Sequence, residues 1–594
     1  MKCRWSVAHA QPLLAQRLAA QLRINTLLAQ CMLNRGLSDP EAVHRFIEPR
    51  LAHLSDPFAV PNMAAAVRRL FDAVHANEAV VVFGDYDVDG VTSTALLVEL
   101  FRRLGLQVDF YLPHRLDEGY GLSRKAVANC LERFKTNLLI AVDCGSTATE
   151  TIRWLRERGI DVIVLDHHQL ASPPPPATAL VNPQLAAVAS ETERQKRTTS
   201  NTDEVQSGTF TELCSVGLAF KLAHAVVKHG RAVGFKPAAQ FDVRKSLELV
   251  ALGTIADIVP LTGENRILVS AGLARLNTTS RPGLVALKTV ARCPPTLGPY
   301  EVGFQLAPRL NAAGRLETAA QALRLLLTND AAEAESLASA LDRFNRSRQK
   351  IEQTIANEIL CAVQATFNPD ADYVIVEGRQ GWHIGVIGIV ASRLVQQFYR
   401  PTVVIGGEGN RLRGSGRSIE GFDLAAALRE CSDLLIDHGG HAMAAGLTIR
   451  PENIAAFRQR LNEIARKMLE PKHLQPCLHI DAEVTLAELN VECVRQLDRL
   501  KPFGLGNPPV RFIARGLTHH RPLQRIGPDR QHVKMWVTDG AATHEAVWWG
   551  AGNEPLPTGR FDLAFTPVVN EFGTRLTVQL RVLDWRPAHQ TKPT

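Results

Sequence analysis

At 594 residues the chain is long enough for several domains, each with a sizeable core. Hydrophobic residues make up 45% and charged residues 21%, an ordinary balance for a globular protein, and the formal net charge of +7 is compatible with a phosphate-bearing partner without requiring one. Ten scattered cysteines with no C-x-x-C pair argue against a disulfide framework or a zinc knuckle, and no apolar run approaches membrane-spanning length.

Met1–Trp5 has no apolar h-region, so the expectation is a cytoplasmic protein with no membrane partner. Residues 1–60 read as a helical lead-in: Pro12–Asn25 is helical in pattern, and Ser38-Asp39-Pro40-Glu41 is a helix start. Met63–Ala76 is amphipathic. Ala79-Val80-Val81-Val82-Phe83 then reads as a buried parallel strand running into Asp85, Asp87, Asp89 and Gly90, with a helix beginning at Val91.

Strand and helix alternate from there. Gln107–Leu112, Leu138–Val142 and Asp161–Leu165 read as strands, and Leu122–Phe134 and Thr147–Arg158 as helices. This alternation predicts a doubly wound parallel α/β sheet with its strand ends on one edge. Ser190–Ser207 is polar and reads as a surface loop. Val216–Val227 and Val243–Leu252 resume helices, and Thr318–Phe367 reads as a helical pair with a long second member.

A second α/β unit opens at Tyr373–Val376 and ends near Pro471. Short alternating runs follow, His532–Val537 and Leu576–Leu580 among them; they predict a β-barrel of OB type, with a β-sandwich as the alternative. The expected divisions are a lead-in at 1–60, a first α/β domain at 61–316, a helical connector at 317–368, a smaller α/β domain at 369–470 and a β-module at 471–594.

The chemistry gathers at the expected strand ends: Asp85, Asp87 and Asp89, then Asp143, then Asp166-His167-His168, then Asp257, each after an apolar run. Crowded carboxylates repel unless a cation neutralises them. Carboxylate and imidazole ligands without cysteine suit Mn²⁺ or Mg²⁺. More carboxylates than one ion needs points to two ions, the arrangement that activates water and stabilises the leaving oxygen in phosphodiester hydrolysis. Singly, Asp143 reads as a helix cap and the His-His pair as a surface feature; the joint pattern carries the reading.

Gly84-Asp85-Tyr86-Asp87-Val88-Asp89-Gly90, Asp143-Cys144-Gly145, Asp166-His167-His168 and Gly253-Thr254-Ile255-Ala256-Asp257 together resemble the motif series of the DHH phosphoesterase superfamily. Pro308–Arg315, Gly381–Leu394, Gly414–Ser418 and Gly439–Gly446 are similar to its single-stranded-DNA exonuclease branch, so that the resemblance spans most of the chain.

The resemblance implies Asp87, Asp89, Asp143, His167 and Asp257 as metal ligands, with Asp143 bridging. Relatives carry a histidine two residues ahead of Asp85, where this chain has Phe83, so Asp85 is left open as a replacement ligand. His168 would face the scissile phosphate and Asp166 would orient a histidine. Arg309, Asn311 and Arg315 would contact the strand near the ions. Ser415, Arg417 and Ser418 would hold a terminal phosphate beside Gly439, Gly440 and His441.

The second α/β unit resembles the family's DHHA1-type substrate-binding domain, and the β-module its single-strand-binding barrel, with Trp536, Trp548, Trp549 and Phe572 available for stacking. The two α/β units would form a cleft around the strand, and Lys501–Pro508 resembles a family loop at the entry to the module. The activity implied is 5′→3′ exonucleolysis releasing mononucleotides, in recombination and repair. A single-strand-binding protein and a RecQ-type helicase are the implied partners of a monomeric enzyme.

Overall fold

A computed structural model describes residues 3–115, 117–119, 121–186, 210–573 and 575–588. The polar stretch Ser190–Ser207 lies outside the described residues. The chain divides into two compact units: residues 45–346 with 500–508, and residues 1–44 with 347–499 and 509–594. The expected lead-in at 1–60 is therefore split between units. It also holds a strand that its pattern did not announce, β1 (Arg4–Val7), ahead of helices Pro12–Leu22, Thr26–Asn34 and Pro40–Ile47.

The unit built on residues 45–346 holds five strands, β2 (Ala79–Gly84), β3 (Gln107–Tyr111), β4 (Leu138–Val142), β5 (Asp161–Leu165) and β6 (Ala179–Val181), all parallel in the order β3-β2-β4-β5-β6. Alternate residues enter two different cores. Val80, Val82, Ile140 and Ile163 join one, while Val81, Phe83, Leu139 and Val162 join the other. Burial of both faces is why β2, β4 and β5 read as apolar runs, whereas the edge strand β3 alternates. Pairing is in register at the carboxyl ends: Gly84 opposes Val142, Val142 opposes Leu165, and Leu165 opposes Val181. The next residue of each strand, Asp85, Asp143, Asp166 and Asn182, therefore lies in one row along that edge.

Two expectations change here. The helix after β2 begins at Val88, with Asp87 as its N-cap accepting from the Gly90 amide, so Asp89 lies inside the first turn. Asp257 follows a helix, Leu247–Ala256, as its C-cap residue. That helix is buried on every side from Leu247 to Ile255, and a fully buried apolar run carries no periodicity that separates helix from strand.

A helix of 36 residues, Ala331–Thr366, about 54 Å long, follows the shorter Ala320–Leu327. In the other unit, strands β7 (Ile375–Gly378), β8 (Thr402–Gly406), β9 (Leu412–Arg417), β10 (Leu435–Gly440) and β11 (Ala444–Ile449) form a mixed sheet ordered β10-β11-β9-β8-β7. Strand β12 (Cys477–Ile480) pairs in parallel with β1.

Strand β13 (Ala482–Glu483) leads into β14 (Phe512–Ile526), β15 (His532–Thr538), β16 (Thr543–Trp548), β17 (Phe561–Phe572) and β18 (Arg575–Pro587). The pairings β14–β15, β15–β16, β16–β18, β18–β17 and β17–β14 close a five-stranded ring. That closure is the OB-type barrel, and it replaces the alternative of a sandwich. The loop 500–508 packs with the first unit instead of the barrel. Buried Arg266 binds the carbonyls of Leu500 and Lys501 at 2.8 and 2.7 Å, and the Leu261 amide donates to Leu505 at 2.7 Å.

Candidate metal centre and substrate-binding residues

The carboxyl edge of the parallel sheet collects acidic and imidazole groups from four segments. One ligand atom each from Asp85, Asp87 and Asp143 lie within 4.8 Å of one another, as do sets from Asp143, His167 and His168 and from Asp89, Cys214 and Asp257. His167 Nε2 is 3.6 Å from Asp143 Oδ1 and 3.4 Å from Asp257 Oδ2. Asp143, shared by two of these sets, has φ 62°, a left-handed conformation that aspartate tolerates better than most residues.

Local hydrogen bonds fix each group. Asp89 sits at the N-terminus of helix Ser215–Ala232, where its Oδ2 accepts from the Ser215 amide at 2.7 Å and its Oδ1 from the Val216 amide at 2.8 Å. Helix N-termini favour such anions. The Ser215 hydroxyl donates to Asp143 Oδ1 at 2.9 Å. Asp85 Oδ1 accepts from the Tyr86 amide at 2.8 Å. Gly90 allows this tight loop, since a Cβ there would lie 2.5 Å from the Asp85 carbonyl oxygen.

Three buried polar atoms of the cluster lack a hydrogen-bond partner: Asp85 Oδ2, His167 Nε2 and Asp257 Oδ2. Buried acceptors are seldom left unpaired, and here they converge. Burial raises the pKa of Asp85 and Asp143 well above the usual carboxylate range, and neighbouring carboxylates, Asp87 foremost, push both further. Burial and Asp87 lift Asp89 to about 6; burial, Asp89 and Asp87 lift Asp257 to about 9. An ion-free cluster therefore carries a large electrostatic cost that a divalent cation removes. Hard oxygen donors with one neutral imidazole fit Mn²⁺ or Mg²⁺.

The two histidines are driven apart. Burial, then the charge on His168, lowers His167 to about 4, which leaves it neutral and able to ligate. Burial lowers His168 too, but the hydrogen bond and charge of Asp166 outweigh it and raise His168 to about 9. Asp166 Oδ1 lies 2.7 Å from His168 Nδ1 and accepts from the His168 amide at 3.1 Å, while its Oδ2 accepts from the Ser146 amide at 2.9 Å. Burial would raise Asp166, yet the bond from His168 and these amides hold it far below its usual range.

The other expected substrate residues divide. Asn311 Oδ1 accepts from the Val88 amide at 3.1 Å, so it braces the aspartate loop. Arg315 is half-buried and acts electrostatically on Tyr86. Arg309 differs from expectation: it binds Asp342 at 2.9 Å and the Gln305 carbonyl at 2.6 Å, so its guanidinium is committed inside the fold. Ser418 also differs, since it is buried and its hydroxyl donates to the Phe422 carbonyl at 2.7 Å.

Ser415 opposes Gly446, which opposes Gly439, in one row across β9, β11 and β10. Among the described residues, no side chain comes within 4 Å of where a Cβ of Gly439 or Gly446 would lie. Arg417 lies beside this row with Nη1 3.2 Å from Ser415 Oγ. Gly440, at φ 132°, closes the β10–β11 hairpin where a Cβ would meet the Ala444 carbonyl oxygen at 2.6 Å, and the exposed His441 follows it. The result is an open, cationic, glycine-floored surface suited to a phosphate. On the barrel, Arg521 covers the Trp536 ring at 3.9 Å and Lys534 lies 5.0 Å from it; Trp549 is exposed against His532. The side chain of Phe572 lies outside the described residues.

Several groups at the centre gave no signal in the sequence. Cys214 and Ser215 open an unremarkable helix, and Asn182, which binds Ser146 Oγ and the His168 carbonyl at 2.8 Å each, follows a strand of three residues. Arg115 lies 5.1 Å from the centre of the Tyr86 ring and counters the rise of Asp85. Its Pro113-His114-Arg115 context gave it no distinction.

Residues 79–254 match the N-terminal domain of the DHH family, residues 371–467 the DHHA1 domain and residues 480–584 the RecJ OB domain. The chain is 36% identical over 590 residues to the single-stranded-DNA-specific exonuclease RecJ of Bacillus subtilis, covering 98% of this chain and 71% of that protein. It is 34% identical over 552 residues to RecJ of Haemophilus influenzae, covering 90% and 92%. The structure of RecJ from Thermus thermophilus in complex with Mn²⁺ superposes with a TM-score of 0.81 at 31% identity, covering 100% of this chain and 80% of that one. The corresponding Mg²⁺ complex gives 0.75 at 29% identity, with 100% and 79% coverage.

Proposed function

The chain belongs to the RecJ family of single-stranded-DNA-specific exonucleases, and from that premise we propose that it degrades single-stranded DNA from the 5′ end, releasing mononucleotides by metal-dependent phosphodiester hydrolysis. The observation that carries this reading is the convergence of unpartnered Asp85 Oδ2, His167 Nε2 and Asp257 Oδ2 around the carboxylates of Asp87, Asp89 and Asp143. These six residues would hold two Mn²⁺ or Mg²⁺ ions, Asp143 being shared by two of the ligand sets. Divalent cations bound there supply activation of water and neutralisation of charge on the phosphate and the leaving 3′-oxygen.

The chain's own groups do the rest. His167 is neutral at physiological pH and ligates without first losing a proton. His168 is protonated and donates to a phosphate oxygen as charge develops there, held in orientation by Asp166 through Nδ1. Asn311 keeps the Asp87–Asp89 loop in place through the Val88 amide. Ser415 and Arg417, over the glycine floor, receive the 5′-terminal phosphate, with His441 as a further donor. Arg315 contacts the strand near the centre. The OB barrel binds the strand beyond the site.

Cytoplasmic location, a monomeric state, and work in recombination and repair with a single-strand-binding protein and a RecQ-type helicase complete the proposal. Among the described residues no helix is long and apolar enough to cross a membrane. A second reading within the superfamily, a phosphoesterase for short oligonucleotides or cyclic dinucleotides, leaves the barrel without a use. Digestion of one long single strand carrying a 5′ or a 3′ label decides between them. Immediate release of a labelled mononucleotide from the 5′-labelled strand alone supports the exonuclease; cleavage of dinucleotides alone overturns it.

A further inference from the structure

Upstream of Asn311 the same run of helix carries an exposed aromatic pair. Tyr300 is 64% and Phe304 71% exposed, and their rings stack with centroids 4.9 Å apart at 29°. Large aromatic side chains in that state are an unusual feature of a free protein surface. The pair sits on Pro299–Glu301 and on a π-helical turn, Val302–Leu306, that runs directly into helix Ala307–Leu316. Single π-turns recur at functional sites. Val302, Leu306, Leu310 and Ala313 face the core. Tyr300 and Phe304 face solvent, and the half-buried Asn311 and Arg315 follow them in the next helix, Asn311 reaching the Val88 amide.

Both ends of this run touch the metal centre's supports. The Asn311 side chain accepts from the Val88 amide, between Asp87 and Asp89. The π-turn lies against the helix that ends in Asp257, with Gly303 beside Ile255. Ile258, next after Asp257, is itself 69% exposed and held at φ 59°, a conformation that costs a β-branched residue energy and that active sites tolerate. From Phe304 to Asn311 the helical rise is about 10 Å.

We propose that Tyr300 and Phe304 form a stacking platform for nucleobases of the single strand, positioned to hold it just outside the metal centre. The inference rests on the exonuclease reading and extends it. An aromatic pair one short run of helix ahead of Asn311 and Arg315 offers the two contacts that a single strand needs, stacking for bases and a cation for phosphates, and a duplex, whose bases already stack on one another, cannot use it.

The test places one abasic residue at successive positions from the 5′ end of a strand and measures KM with wild type, with Tyr300→Ala/Phe304→Ala and with Tyr300→Phe. Wild type is expected to lose about tenfold in KM at one or two particular positions. In the double variant that positional penalty vanishes, because intact strands bind as weakly as abasic ones, while Tyr300→Phe retains it. A double variant that keeps the positional penalty, or that changes self-association at unaltered KM, overturns the platform. A wild type that leaves every strand intact overturns the exonuclease reading, and the platform with it.

Discussion

Ser215 holds Asp89 through its backbone and Asp143 through its side chain: its amide donates to Asp89 Oδ2 at 2.7 Å and its hydroxyl to Asp143 Oδ1 at 2.9 Å. One residue at a helix N-terminus thereby sets the separation of two carboxylates that arrive from different segments of the chain.

Ser215→Ala keeps the amide contact and removes the hydroxyl. Partners that orient metal ligands are worth roughly 10- to 100-fold in metal affinity. The variant is therefore expected to fold normally and to bind Mn²⁺ at least about tenfold more weakly by titration calorimetry. Unchanged affinity would show that the hydroxyl is idle.

Reloading with Mn²⁺ after chelation should stabilise wild type far more than Asp143→Asn. Asparagine tolerates the left-handed backbone at this position while removing one charge from the cluster. The ion-free variant should melt higher than ion-free wild type, since buried like charges repel. Saturating Mn²⁺ should raise wild type by about 3 kcal/mol at a hundredfold excess over Kd and the variant by much less. Equal responses to Mn²⁺ would remove Asp143 from the site.

His168→Ala should lower kcat by roughly 100- to 1,000-fold, the usual cost of one donor to a developing charge, with Mn²⁺ affinity within a few fold of wild type. Asp166→Asn should show a smaller loss of the same kind, because it frees the ring without removing it. Loss of Mn²⁺ binding in His168→Ala would instead make that histidine a ligand.

Two of the three arginines expected to touch DNA, Arg417 and Arg309, should behave differently. Arg417→Ala should erase any preference for 5′-phosphorylated over 5′-hydroxyl strands, a change in KM of roughly tenfold or more. Arg309→Ala breaks a pair that is only 15% and 9% exposed, leaves Asp342 with Arg346 alone, and should lower thermal stability while sparing that preference. A preference unchanged in Arg417→Ala would move the terminal phosphate elsewhere.

Most of this arrangement was legible in residue order. Short unbroken apolar runs ending in Asp85, Asp143 and Asp166 and alternating with helical segments point to a parallel sheet buried on both faces, and equal strand ends then follow from register. The helix under Asp257 read as a helix as far as Leu252, but its last turn was placed at a strand end, because a segment buried all round has no polar face to reveal its period. Ser215, Asn182 and Arg115 reach the centre only through tertiary contacts, and serine, asparagine and arginine are too common on surfaces to stand out singly. For Arg309 and Ser418, which family spacing marked, residue order did not reveal that their hydrogen bonds point into the fold. The loop 500–508 read as part of the β-module, yet its carbonyls are held by Arg266 from a distant helix.

The account turns on a two-ion centre at the carboxyl edge of the parallel sheet. An anomalous difference map from crystals soaked in Mn²⁺ tests it most directly. Two peaks about 4 Å apart, flanking Asp143 and within ligand distance of His167 and Asp257, are the expected result. A cluster that stays empty while Mn²⁺ binds elsewhere, or a single peak that leaves Asp85, Asp87 and Asp89 without an ion, would contradict it.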